Sequence, residues 1–96
     1  MWLTSIKDSD MIHRLKILPA FFDAIERGEK KFEIRDNTDR GFQRGDTIEL
    51  LEYDPRKGLT EREHYTGNGL LAQITYVSDY NQPPNQVVMA FSLMDA

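Results

Sequence analysis

From residue 13 the chain alternates. His13, Leu15 and Ile17 stand against Arg14 and Lys16, the period of a half-buried strand. Leu18-Pro19 closes that run, because the residue before a proline leaves the α region and proline suits the first helical position. PAFFDAIER, residues 19–27, predicts a short helix: Phe22 and Ile25 are three apart, Phe21 and Ile25 four apart, so one face is apolar. Gly28 is placed to end it in the left-handed conformation. KFEIRD, residues 31–36, predicts a second strand, with Phe32 and Ile34 on one side and Lys31, Glu33 and Arg35 on an all-charged outer face. Residues 37–46 are turn-rich. TIELLEY, residues 47–53, predicts a third strand with Ile48 and Leu50 on one face. Residues 54–63 read as a polar loop or hairpin tip, and HYTGNG, residues 64–69, as a strand end plus turn. LLAQITYV, residues 70–77, predicts a fourth strand, and residues 78–86 a loop. VVMAFSLM, residues 87–94, is apolar on both faces, which predicts a strand inside the sheet with Met89, Phe91 and Leu93 in the core. Residues 1–12 carry no period and read as an N-terminal arm or an extra strand.

These elements predict a small β-rich α+β fold with one short helix near the N-terminus. Strands apolar on both faces in so short a chain predict a sheet curled into a small barrel of about five to six strands, whose closure removes unpaired edges. With 96 residues the chain is one domain, 1–96. It has 40% hydrophobic and 29% charged residues, which suits a soluble globular domain. The absence of cysteine removes a disulfide framework and a thiolate metal site. No apolar run approaches a membrane span, and MWLTSIKDSDMI lacks the pattern of a signal peptide. The expectation is a cytoplasmic protein with no membrane partner.

The net charge of −4 argues against indiscriminate nucleic-acid binding. Its distribution qualifies this: residues 13–44 hold eight Lys/Arg against six acids, a balance of +2, and the remainder four against ten, a balance of −6. Inside the basic part, Lys30 offers a point charge for phosphate, Arg35 a planar fork for phosphate or a base edge, and Glu33 an acceptor for exocyclic amines. The plain alternative is a solvated strand face with weak ion pairs. Tyr53 and Tyr65 suit base stacking or a core rim. His13 has the apolar parity of a core residue, and His64 near Tyr65 is a candidate general base. Two distant histidines without cysteine do not make a zinc site. Glu33, Asp36 and Asp39 could form an acidic metal cluster, but Arg35 and Arg40 between them favour charge balancing. No metal or cofactor is expected.

GEKKFEIR fits the pattern Gly-x-Lys-x-x-Glu-x-Arg at Gly28, Lys30, Glu33 and Arg35. Directly after a short helix, this resembles the ASCH domains of the PUA-like superfamily. More narrowly, the chain looks like a small bacterial and phage branch of uncharacterised function. That likeness is carried by HRLKILPAFFDAIERGEKKFEIRDN, by Asp39–Asp46, by Leu50–Tyr53 and by Tyr65–Gly67, over roughly residues 13–78. The resemblance implies a PUA-like β-barrel with a cleft beside the helix that binds RNA or a nucleotide. Lys16, Lys30, Glu33, Arg35, Arg40, Tyr65 and Thr66 are then the candidate ligand-binding residues. Some ASCH relatives hydrolyse the acetyl amide of acetylated cytidine with a threonine and a lysine of this motif. The lysine position matches Lys30, but the threonine position holds Glu33, so the hydroxyl nucleophile is missing. Ribonuclease activity is a further expectation attached to ASCH domains. Asn68 stands where the branch pattern leads one to expect an arginine. Three functions follow as expectations: an RNA- or nucleotide-binding module, a small hydrolase acting on RNA or a modified nucleoside with Lys30 and Glu33 as chemical groups, and a protein-interaction module.

Overall fold

The computed structural model describes residues 11–94; the arm or extra strand expected at the N-terminus lies almost wholly outside them. Strand β1 runs Ile12–Ile17, helix α1 Pro19–Glu26, β2 Phe32–Asp36, β3 Thr47–Tyr53, helix α2 Glu61–His64, β4 Tyr65–Ser78 and β5 Gln86–Leu93. The punctuation works as proline and glycine dictate. Pro19 opens α1, and Gly28 follows it at φ +82°. Two elements depart from expectation. Residues 65–69 do not form a turn but belong to a single long strand β4, with Gly67 at φ +95°, and His64 ends the helix before it. The polar segment before it contains α2, started by a capping box in which Thr60 and Glu63 bond each other's backbone.

The five strands form one sheet in the order β1-β3-β4-β5-β2, with β1 parallel to β3 and the other pairs antiparallel. In a flat sheet the outer strands β1 and β2 would lie four spacings apart, roughly 19 Å. Instead Arg35 Nη2 on β2 donates to the Lys16 carbonyl on β1 at 2.7 Å. The sheet therefore curls until its two edges meet. It does not close: no backbone ladder joins β1 to β2 among the described residues. The expected barrel is a curled, open half-barrel, and its seam is spanned by side chains.

Leu15 and Ile17 of β1, Phe22 and Ile25 of α1, Ile48 and Leu50 of β3, Ala72 and Ile74 of β4, and Val87, Met89 and Phe91 of β5 make the core, with Phe42 from the long loop. Each fully buried Leu, Ile or Phe contributes about 1.5–3 kcal/mol of transfer free energy. Strand β5 lies inside the sheet between β4 and β2, as its two-sided apolarity predicts, but Leu93 at its end is exposed. Phe21 also falls on the solvent side of α1.

Strand β2 is turned the other way from its expected orientation. Glu33 is 6% exposed, whereas Phe32 is 43% and Ile34 51% exposed. Alternation assigns residues to two faces but does not say which face is inward. Here the charged face is the inward one. No helix among the described residues is long and apolar enough to cross a membrane.

Candidate functional site

The site forms where α1 exits into β2, against the free edge of β1. Glu33 sits opposite Met89 of β5 on the inner face of the half-barrel. Its two carboxylate oxygens are shared out: Oε2 bonds Lys30 Nζ, and Oε1 accepts from Arg35 Nε at 3.0 Å. Burying a carboxylate alone costs several kcal/mol, which only close cations and hydrogen bonds offset. Lys30 and Arg35 supply both. Lys30 is also held by the Phe32 carbonyl at 2.7 Å, and lies 4.7 Å from the Phe32 ring centroid and 5.3 Å from that of Phe21. Arg35 extends its remaining arm across the seam to Lys16.

The long loop brings Arg40 to the same seam, and a buried polar pair fixes that loop. His13 Nε2 and Asp46 Oδ2 are 2.8 Å apart, and the same oxygen accepts from the Gln43 N–H at 3.0 Å. The His13 ring packs edge-on against Phe42 at 4.7 Å, and the Asn37 side chain accepts from the Phe42 N–H at 2.8 Å. His13 is thus a satisfied core residue. Above Phe42, the Arg40 guanidinium carbon lies 5.7 Å from its ring centroid, and Arg40 Nη1 donates to the Arg14 carbonyl at 3.3 Å.

Two cavities flank Arg35. One, of about 310 Å³, is lined by Arg14, Lys16, Arg35, Arg40 and Tyr65 with Leu15 and Leu51. The other, of about 360 Å³, is lined by Lys16, Ile17, Leu18 and Phe21 with Glu33, Ile34 and Arg35. Lys16 Nζ pairs with Glu61 at 2.5 Å and stands 4.9 Å over the Tyr53 ring. The bond to Glu61 holds the Lys16 ammonium above its ordinary pKa, and the same bond lowers that of Glu61. Tyr53, Tyr65 and His64 form an edge-to-face cluster, Tyr53 lying 5.0 Å from Tyr65 and 5.4 Å from His64. His64 Nδ1 donates to the Lys57 carbonyl at 2.6 Å.

Of the seven candidate residues, Lys16, Lys30, Glu33, Arg35, Arg40 and Tyr65 meet along this seam. Thr66 does not line either cavity: its hydroxyl donates to Glu52 at 2.7 Å, and Asn68 bonds the same carboxylate. Glu33 and Asp36 have opposite parity on β2, so the acidic cluster does not assemble. No group of three possible metal ligands stands together among the described residues. Sequence reasoning passed over Arg14, which lines the basic cavity and pairs with Glu49 at 2.8 Å. Its signal was available: Arg14 shares the exposed parity of β1 with Lys16. The exposed ring of Phe21 and side chains of Phe32 and Ile34 were also assigned inward, since nothing in the pattern marks them as walls of a cleft.

Fold and site together define a small β-rich α+β domain whose open sheet seam carries a charged, aromatic-walled cleft. The chain belongs to the family described as a domain of unknown function (DUF3850), whose model matches residues 12–91, from the first residue of β1 into β5. No curated protein matches the chain.

Proposed function

We propose that this chain is a PUA-like module of the ASCH type, cytoplasmic, that binds single-stranded RNA or a nucleotide in the cleft along the β1–β2 seam. The observation that carries this reading is the reversed polarity of β2. A fold governed by stability alone turns Phe32 and Ile34 inward and leaves Glu33 in water. Here Glu33 is buried between two cations while Phe21, Phe32, Ile34 and Leu18 stay exposed around it. Local rules of this kind are broken mainly where a site requires it. The chemistry suits a nucleotide: flat apolar walls for a base, a carboxylate and an ammonium side by side to read its polar edge, and guanidinium groups for phosphate. Lys30 and Glu33 are bound to each other, and both Glu33 oxygens are engaged, which favours holding a ligand over the proton exchange a hydrolase needs.

Fluorescence anisotropy with a labelled single-stranded RNA, at two salt concentrations, tests the reading. Binding is expected to weaken linearly in log salt, and Phe32→Ser is expected to weaken it without unfolding the domain. Failure of the RNA and of mononucleotides to bind would overturn it and leave a protein partner as the better account.

A further inference from the structure

An ordinary free sheet edge offers N–H and C=O groups in equal number. The two edges at this seam do not. The Met11 carbonyl accepts from Thr47 N–H at 3.0 Å, so the odd residues of β1 face β3. Ile12, Arg14 and Lys16 therefore direct their backbone groups to the seam. On β2, the Lys31 carbonyl accepts from Phe91 N–H at 3.1 Å and Asn37 N–H donates to the Asn85 carbonyl at 2.7 Å. Phe32 and Ile34 therefore direct theirs to the seam. Three of those seam carbonyls are already taken by cations: Arg14 by Arg40, Lys16 by Arg35, and Phe32 by Lys30. What remains along the seam is rich in N–H donors and positive charge and poor in acceptors.

Such a slot rejects an added peptide strand, which must donate to edge carbonyls as well as accept from N–H groups. It suits a group that only accepts. On the Tyr65 side, the 310 Å³ cavity is lined by four cations, and no carboxylate lines it among the described residues. Arg40 has no carboxylate partner among the described residues, and is held by a carbonyl and by the Phe42 face. Resting on the nucleotide-binding reading above, we propose that the seam orients its ligand: a phosphate group lies in the basic cavity on the Tyr65 side of Arg35, and the base lies on the Phe21 side. Arg35 lines both cavities and marks the boundary between the two halves of the nucleotide.

The test is a titration of the full chain, followed by amide NMR, with nucleosides, their monophosphates and inorganic phosphate. Monophosphates are expected to bind about tenfold or more tighter than the parent nucleosides, as one charged hydrogen bond allows. Inorganic phosphate alone should shift the Lys16 and Tyr65 amides. Arg40→Gln, at an exposed position, should bring the ratio of monophosphate to nucleoside affinity down towards one. Equal affinities for nucleoside and monophosphate would overturn the proposed orientation while leaving nucleotide binding intact. Phosphate shifts without any nucleoside or nucleotide binding would keep the anion slot and overturn the nucleotide reading. Silence from phosphate and monophosphates alike would overturn the slot itself.

Discussion

Arg35 donates to the carbonyl of Lys16 across 2.7 Å, at the seam where no backbone ladder joins β1 to β2 among the described residues. The same guanidinium bonds buried Glu33 at 3.0 Å. One side chain therefore joins the edges of the half-barrel and compensates the charge inside it. Removing it leaves Glu33 with Lys30 alone and the Lys16 carbonyl unpaired. Arg35→Ala is expected to lower the stability by about 3 kcal/mol. Arg35→Lys keeps a charge but loses the fork, and should lower it by about 1 kcal/mol. Urea denaturation of both variants checks this; wild-type stability in Arg35→Ala would mean that the seam needs no bridge.

The reversed face of β2 separates two kinds of phenylalanine. Phe22→Ala removes a ring from the core and should cost about 3–5 kcal/mol. Phe32→Ser removes one from the cleft wall and should cost about 1 kcal/mol or less. Comparable losses in thermal denaturation would put Phe32 in the core and contradict the orientation of the strand.

His13 and Asp46 fix the loop that carries Arg40. Asp46→Ala leaves the His13 ring nitrogen and the Gln43 N–H without their shared oxygen. The buried His13 nitrogen left unpaired costs about 1–3 kcal/mol. Beyond that loss, hydrogen exchange at Gln43 and Phe42 should accelerate more than exchange in β5. A uniform change across the domain would show that the pair does not act on the loop.

Helix α2 should be sensitive to acid. The backbone N–H groups of Leu59 and Thr60 hold the Glu63 carboxyl below its ordinary value of 4.5. A carboxylate whose pKa is lowered by folding contributes stability above that ordinary value and loses it as pH falls through the lower, folded value. Glu61, lowered by Lys16, acts in the same direction. The Leu59 and Thr60 amide signals are expected to move below about pH 4 while those of β4 and β5 hold. Glu63→Gln should retain part of the cap and flatten the response.

Much of the order of elements was legible because proline, glycine and alternation act locally. Leu18-Pro19, Gly28 and the parity of β1 each mean the same thing in the sequence and in the fold. The face of β2 was not legible. Phe32 and Ile34 against Glu33 and Arg35 gives two faces, and the charged one is buriable because Lys30 from the helix exit bonds Glu33 and the Lys16 carbonyl of β1 accepts from Arg35. The open seam was hidden for a similar reason. Strand count and apolarity suggested closure, but whether β1 and β2 pair depends on which groups occupy their carbonyls, and those come from Lys30, Arg35 and Arg40 elsewhere in the chain. Helix α2 was readable, since Thr60 and Glu63 have capping-box spacing, but its polar surroundings masked it. Most of the cleft came from the GEKKFEIR motif; Thr66 stood beside it in the sequence pattern and bonds Glu52 in the fold.

The most direct test of the account is an amide NMR titration of the full chain with short single-stranded RNA at low and high salt. The account predicts shifts concentrated at Lys16, Lys30, Ile34, Arg35, Arg40 and Tyr65, and markedly weaker binding at high salt. Shifts that avoid the β1–β2 seam, or that ignore salt, would contradict it.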